Sequence, residues 1–366
     1  MRPRPTHANR LERWLGAEQT EQISREHRQW YGPPIAVAGV PGRVYVTRGG
    51  DFCGPIKGGF FGSLADYATE KLRRIDRNVR ERQRSKMNTG FASLSDLISE
   101  ATTGGKRQDV FISKANLLST SGAAGSLWTA TGFPPAGATP SARPGGSVPT
   151  NATVGSWLQT DPGGSDTLHL LTMQFQASTA PNTLLLYDRT FHAATINHNT
   201  TTSAQSVTGV PTRYATTTSP GVIAFLETTT LLGVTSANLT LEYTDQSGNA
   251  AESAPALALI TSSSASGSRI CHSPYFVPLN TVDTGIRTVT NITISALMGG
   301  GVSNLVQGKP LAMIPQPVAN AMVVMDGINS AFNFVQILSG ACLAFLELKG
   351  VSSTTTYTGT AVMCAG

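Results

Sequence analysis

The residues best able to do chemistry lie in one stretch, YDRTFHAATINHNT, which brings Asp188, His192 and His198 close together. Imidazoles beside a carboxylate are the raw material of a metal site or an acid–base pair. The H-x5-H spacing, however, does not set both rings on one helix face, and the surrounding residues favour strand and loop. Asp188 and Arg189 read instead as an ion pair, or as turn contacts, closing a strand over 184–187. His169, flanked by Leu168 and Leu170, reads as a strand residue. Cys271 and His272 are adjacent, which is not the geometry a nucleophile–base dyad requires. No GxSxG elbow is present, and Gly58-Gly59 and Gly299-Gly300-Gly301 are not followed by the GK[ST] of a phosphate loop. The four cysteines, Cys53, Cys271, Cys342 and Cys364, form no CxxC pair, so they read as reduced, buried thiols of a protein made in a cytoplasm. Asn151, Asn199, Asn238 and Asn291 begin N-x-[ST] triplets, which a Thr-rich chain produces by chance. No catalytic, cofactor-binding or metal-ligating residue is assigned, and the expectation is a protein that is not an enzyme.

A second cluster is basic. Ser63 can cap a helix whose apolar face is Leu64, Ala68, Leu72, Ile75 and Val79. Lys71, Arg73, Arg74, Arg77, Arg80, Arg82, Arg84 and Lys86 surround that face. Such a cluster can neutralise phosphates of packaged DNA, or it can pair with carboxylates of a neighbouring protein. Glu70, Asp76 and Glu81 already offer pairing along the helix, and no aromatic residue is interleaved to stack on bases. The balance favours a protein partner, with nucleic acid as the alternative.

The elements that would carry these residues divide the chain sharply. Residues 1–114 hold 20 Lys or Arg against 12 Asp or Glu, a net of +8, whereas residues 115–366 hold 7 against 10, a net of −3. Only 17 of the last 252 residues are therefore charged, far below the quarter or so usual in soluble domains. Residues 1–62 read as an extended arm broken by Gly and Pro, and 63–114 as a basic helical segment with a second short helix at 94–100. Residues 115–160, rich in Gly, Pro, Ser and Thr, read as a linker. Short apolar and β-branched runs then recur between turn signals, at 167–175, 183–187, 221–226, 239–243, 256–261, 288–297, 321–325, 333–338 and 342–348. Asp161-Pro162-Gly163-Gly164 and Ser247-Gly248-Asn249 mark turns. The expected fold is mainly β: an antiparallel sandwich or jelly-roll-like body, in one or two sandwiches over 161–366, behind an extended, partly helical basic arm. No internal repeat supports a solenoid or propeller.

The start of the chain lacks the apolar core of a secretory signal, and the longest apolar run, 331–348, is interrupted by Asn333, Gln336, Ser339, Gly340 and Glu347. It reads as two strands joined through Ser339-Gly340, with no membrane partner expected.

The run LWTATGFPPAGATP after Ser126, the Gly163-Gly164 turn with its following apolar strand, and the strand ending Asp188-Arg189 resemble segments of virion structural proteins of tailed bacteriophages. That resemblance covers about the middle fifth of the chain. It implies a role in the head or head–tail region of a virion, many symmetric copies, no cofactor and no catalysis. No functional residue is carried over, because the class has no motif of catalytic positions. The leading expectation is a capsid-associated minor capsid or decoration (cement) protein, whose arm docks on the capsid shell and whose body forms homo-oligomers, plausibly trimers. A tail, baseplate or fibre protein contacting the host surface is one alternative, and the major capsid protein another. The long spine helix and extended hairpin expected of the usual shell fold are not evident in the sequence.

Overall fold

The computed structural model describes residues 90–366, apart from 92, 116–119, 216–219, 262–268 and 328–333, together with the backbone of two short strands nearer the start. The chain divides into two compact units, Met1–Lys86 and Met87–Gly366. In the first, β1 (Ile35–Ala36) pairs antiparallel with β2 (Arg43–Val44). The helix expected over 63–86, with Lys71, Arg73, Arg74, Arg77, Arg80, Arg82, Arg84 and Lys86, lies outside the described residues.

Among its described residues, the second unit is an antiparallel β body with one helix, α1 (Leu94–Thr102), capped where Ser93 Oγ accepts the Asp96 N–H at 3.1 Å. Three sheets build it. The first runs β15 (Val323–Asp326), β6 (Leu168–Ala177), β18 (Thr356–Ala365), β3 (Arg107–Ala115), β5 (Gly132–Phe133), with β16 (Gln336–Ile337) also on β6. The central sheet runs β4 (Ala124–Ser126), β17 (Leu343–Lys349), β7 (Asn182–Asn197), β14 (Val302–Gln316), β9 (Ile223–Thr230). The third runs β11 (Glu252–Ser253), β10 (Asn238–Asp245), β13 (Ile286–Ile294), β8 (Gln205–Ser206), with β12 (Leu257–Ala258) on β10.

The long strands β7 and β14 serve two cores. Leu184 and Leu186 of β7 join Ala312, Ile314, Leu343 and Phe345 against the first sheet's Leu170, Met173, Phe175, Tyr357 and Met363. Farther along, Phe191, Ala193 and Ile196 join Ala224, Leu226 and Leu305 against the third sheet's Leu239, Leu241, Val289 and Ile292. Tyr187, Phe225, Val306, Ala344 and Leu346 form a third cluster with Trp128. Alternation along a strand has period two, so inward positions 184 and 186 cannot continue to 191 and 193 without an inserted residue. The β7–β14 register shifts between Gln307 and Gly308, and again between Ser303 and Leu305, where Thr195 stands at φ 67°. Each β-bulge shifts the parity, allowing one strand to feed two sandwiches.

The sheets do not respect the boundaries that composition drew. β3 begins at Arg107, inside the segment read as helical, and pairs along its length with β18. The stretch 115–160 is no passive linker, because Trp128 and Trp157 are among the largest fully buried side chains. The Trp128 ring donates from Nε1 to Ala138 O at 3.0 Å, and the Trp157 ring meets Phe345 edge-on at 5.1 Å. Two long strands, β14 and β18, stand where no strand is expected from the sequence, and the short helix at 94–100 is α1.

Candidate functional site

The densest group of titratable side chains lies at the middle of β7, where the sequence first draws attention, but its wiring differs from the expected Asp188–Arg189 pair. Consecutive strand residues face opposite sides of a sheet, so the two neighbours find separate partners. Asp188 receives Arg213 Nε at 2.8 Å and Nη2 at 2.9 Å, and its Oδ1 also accepts the Cys342 N–H at 2.9 Å. Arg213 Nη2 reaches Pro149 O and Arg189 O as well, so this one guanidinium ties three chain segments together.

Arg189 faces the other way. Its Nη2 and Nη1 grip Glu227 at 2.6 and 3.2 Å, Nη1 also meets the Tyr187 hydroxyl at 3.2 Å, and Nε donates to His192 Nδ1 at 2.8 Å. The guanidinium carbon sits 4.8 Å over the Trp128 ring, and Asn304 adds a bond to Glu227 at 3.3 Å. Arg189 and Glu227 are both sealed from solvent. A planar fork that meets a carboxylate, a ring face and an imidazole together is a role Lys could not fill. Burial opposes the charge on Arg189, yet Glu227 and Tyr187 hold its proton more tightly than usual. Burial and then Arg189 push His192 down to about 2. The ring is therefore neutral, with Nδ1 already used as an acceptor.

The other histidines are equally constrained. His198 Nε2 lies 2.8 Å from Ser303 Oγ, and burial lowers its pKa to about 4. It does not join His192. His272 has Nδ1 2.7 Å from Pro274 O and accepts the Leu226 N–H on Nε2, and burial again lowers it to about 4. It braces a turn instead of activating Cys271, whose thiol burial pushes up to about 12. His169 lies 3.1 Å from Thr167 O and 5.7 Å from the Phe91 ring centroid. Cys271, Cys342 and Cys364 are free thiols in the interior. Among the described residues, no group of three or more His, Cys, Asp or Glu is placed to hold a metal ion, and no helix is long and apolar enough to cross a membrane.

Two buried cations were not legible in the sequence. Lys114 at the end of β3 donates to Ala130 O at 3.0 Å and Pro135 O at 3.1 Å, with burial lowering its pKa to about 8. Lys349 on β17 lies 3.3 Å from Glu347, and neither side chain has any exposure. No motif announces either residue, and only strand pairing shows where they point.

The chemical character of the group is that of an internal brace. Each charge is matched, hydrogen-bonded and enclosed. Its effect on the surface is larger than its size implies. Six of the seventeen charged residues beyond position 114 are spent in three buried pairs, Arg189–Glu227, Arg213–Asp188 and Lys349–Glu347, and Asp245 is buried as well, leaving ten for the surface. Among the exposed apolar side chains, Val324 lies on β15, the edge strand of the first sheet, and Met322 directly precedes it. An edge strand carrying uncovered apolar groups is a natural point of association.

No family model matches the chain, and no curated protein matches it. Among solved structures, the chain is similar to "Structure of infectious bursal disease virus Gx strain", at 9% identity over 71% of this chain and 81% of that one, with a TM-score of 0.16. It is also similar to "Crystal structure of infectious bursal disease virus VP2 subviral particle", at 8% identity over 74% and 86%, with a TM-score of 0.18.

Proposed function

We propose that this chain is a non-enzymatic structural component of a virion, most specifically a capsid-associated minor capsid or decoration protein of a tailed phage. The observation that carries the reading is the surface of the β body, which keeps ten ionic side chains across residues 115–366. Charge is what keeps soluble monomers apart, and a body this poor in it is suited to being covered by copies or companions. The exposed apolar rim at β15 adds a place for such a contact. In this reading the N-terminal arm docks on the capsid shell, Lys71 to Lys86 meet shell carboxylates in preference to packaged DNA, and the body forms a homo-oligomer such as a trimer. The virion is its location.

Sedimentation of the full chain over a wide concentration range tests the reading. Stable oligomers, or co-sedimentation with purified shells, are expected. A compact solitary monomer at high concentration that ignores shells overturns it. Replacing Arg73, Arg74, Arg77 and Arg80 by Gln separates the partners. Loss of shell binding with unchanged DNA retention supports the protein contact, and the reverse supports the genome.

A further inference from the structure

The buried Lys349 stands among groups that do more than neutralise it. Lys349 and Asn182 are direct partners across the β17–β7 ladder, so their side chains leave the sheet on the same face. Glu347, two residues before Lys349, shares that face. Lys349 Nζ lies 2.6 Å from Thr355 Oγ1, 2.5 Å from Ser353 O and 3.3 Å from Glu347 Oε1. Asn182 Nδ2 lies 3.4 Å from the same Thr355 oxygen, so one hydroxyl touches both nitrogens. Asn182 Nδ2 also donates to Thr179 O at 2.8 Å, and its Oδ1 accepts the Gly350 N–H at 3.2 Å. The Tyr357 hydroxyl donates to Glu347 Oε1 at 2.5 Å, and both Lys349 and Glu347 are fully enclosed.

An amine, a carboxamide and a carboxylate sealed together have a reaction open to them. We infer that Lys349 and Asn182 are the two ends of an autocatalytic isopeptide bond, with Glu347 as the proton acceptor. In this reaction the Lys349 ammonium passes one proton to Glu347, whose Oε1 lies 3.3 Å from Nζ. The amine lone pair forms the Nζ–Cγ bond to Asn182, while the Gly350 N–H steadies the developing charge on Oδ1. The Cγ–Nδ2 bond then breaks, and the departing nitrogen carries off a second proton from Nζ as ammonia. No oxidant or co-reactant enters. Asn182 and Lys349 lie far apart in sequence, so the product would lock β7 to β17 through the sheet that both sandwiches share. This inference does not depend on the proposed function.

The intact mass of the full-length protein tests it directly. The expected value is the sequence mass less one ammonia, and trypsin applied to the denatured chain is expected to skip Lys349 and leave peptides joined through Asn182. A full sequence mass with normal cleavage after Lys349 overturns the inference. Ammonia loss without linked peptides also overturns it. Lys349→Arg and Asn182→Ala are each expected to restore the mass, and the wild-type result stands whether or not these variants fold. Glu347→Gln keeps both reacting groups and removes the proton acceptor. Full linkage in that variant overturns the role given to the carboxylate.

Discussion

Two buried salt bridges in the central sheet, Arg189–Glu227 and Lys349–Glu347, are alike in burial and opposite in chemistry. Arg189 engages its carboxylate through two nitrogens, stacks on Trp128 and keeps its proton under all ordinary conditions. It can only brace. Lys349 approaches Glu347 more loosely, at 3.3 Å, through a single nitrogen, and it does so across the ladder from a carboxamide. The same degree of enclosure therefore holds an inert strut at the middle of β7 and, at its first residue, the constellation inferred to react.

Acid should expose the difference most strongly. His192, His198 and His272 are held neutral in the fold, with pKa values of about 2, 4 and 4, whereas the unfolded chain takes up protons on them below about 6.5. The unfolded state thus binds more protons, and stability falls as pH drops from about 6.5 toward 4, by up to about 1.4 kcal/mol per pH unit for each histidine. Protonating His192 also sets a cation against Arg189, so the Arg189 side should loosen before the Lys349 side. Urea unfolding followed from pH 7 to 4.5 checks the slope, and a flat profile breaks the comparison.

Removing the strut is the next largest effect. Arg189→Met leaves Glu227 enclosed without its cation and should cost about 3–5 kcal/mol in denaturant unfolding. Arg189→Lys keeps the charge but loses the fork and the stack, and should cost about 1.5–3 kcal/mol. Equal stability of the Lys variant and the wild type would show that charge alone suffices there. The smallest effect belongs to a carboxylate whose bonds stay within one turn. Asp245 caps its turn by accepting the Ser247 and Asn249 N–H groups at 2.8 and 2.7 Å. Asp245→Ala should speed hydrogen exchange at those two amides and leave the global midpoint nearly unchanged.

Much of the β body could be read from alternation alone. The runs that became β6, β10, β13 and β17 alternate cleanly or are continuously apolar, and Gly248 with φ 94° and Gly164 with φ 67° occupy expected turns. The length of β7 was hidden because its bulges shift the inward parity, which breaks a period-two pattern. β14 was hidden by Gly308 and Pro310, residues that ordinarily punctuate strands. Pro310 and Pro315 are tolerated because the β9 ladder ends at Gly308, leaving that part of β14 with β7 alone. The site was legible only in its membership. Asp188, Arg189 and His192 stand out as polar residues in an apolar run, but their partners, Arg213 and Glu227, lie 25 and 38 positions away and follow no motif.

Salt should therefore act unevenly along this polypeptide. Contacts made by the β body, with most of its Lys and Arg either locked inside or sparse outside, should persist when electrolyte is added. Those made by residues 1–86, with 17 Lys or Arg against 9 Asp or Glu, should release. A titration with sodium chloride would then strip the contacts of the leading segment while the body keeps its grip.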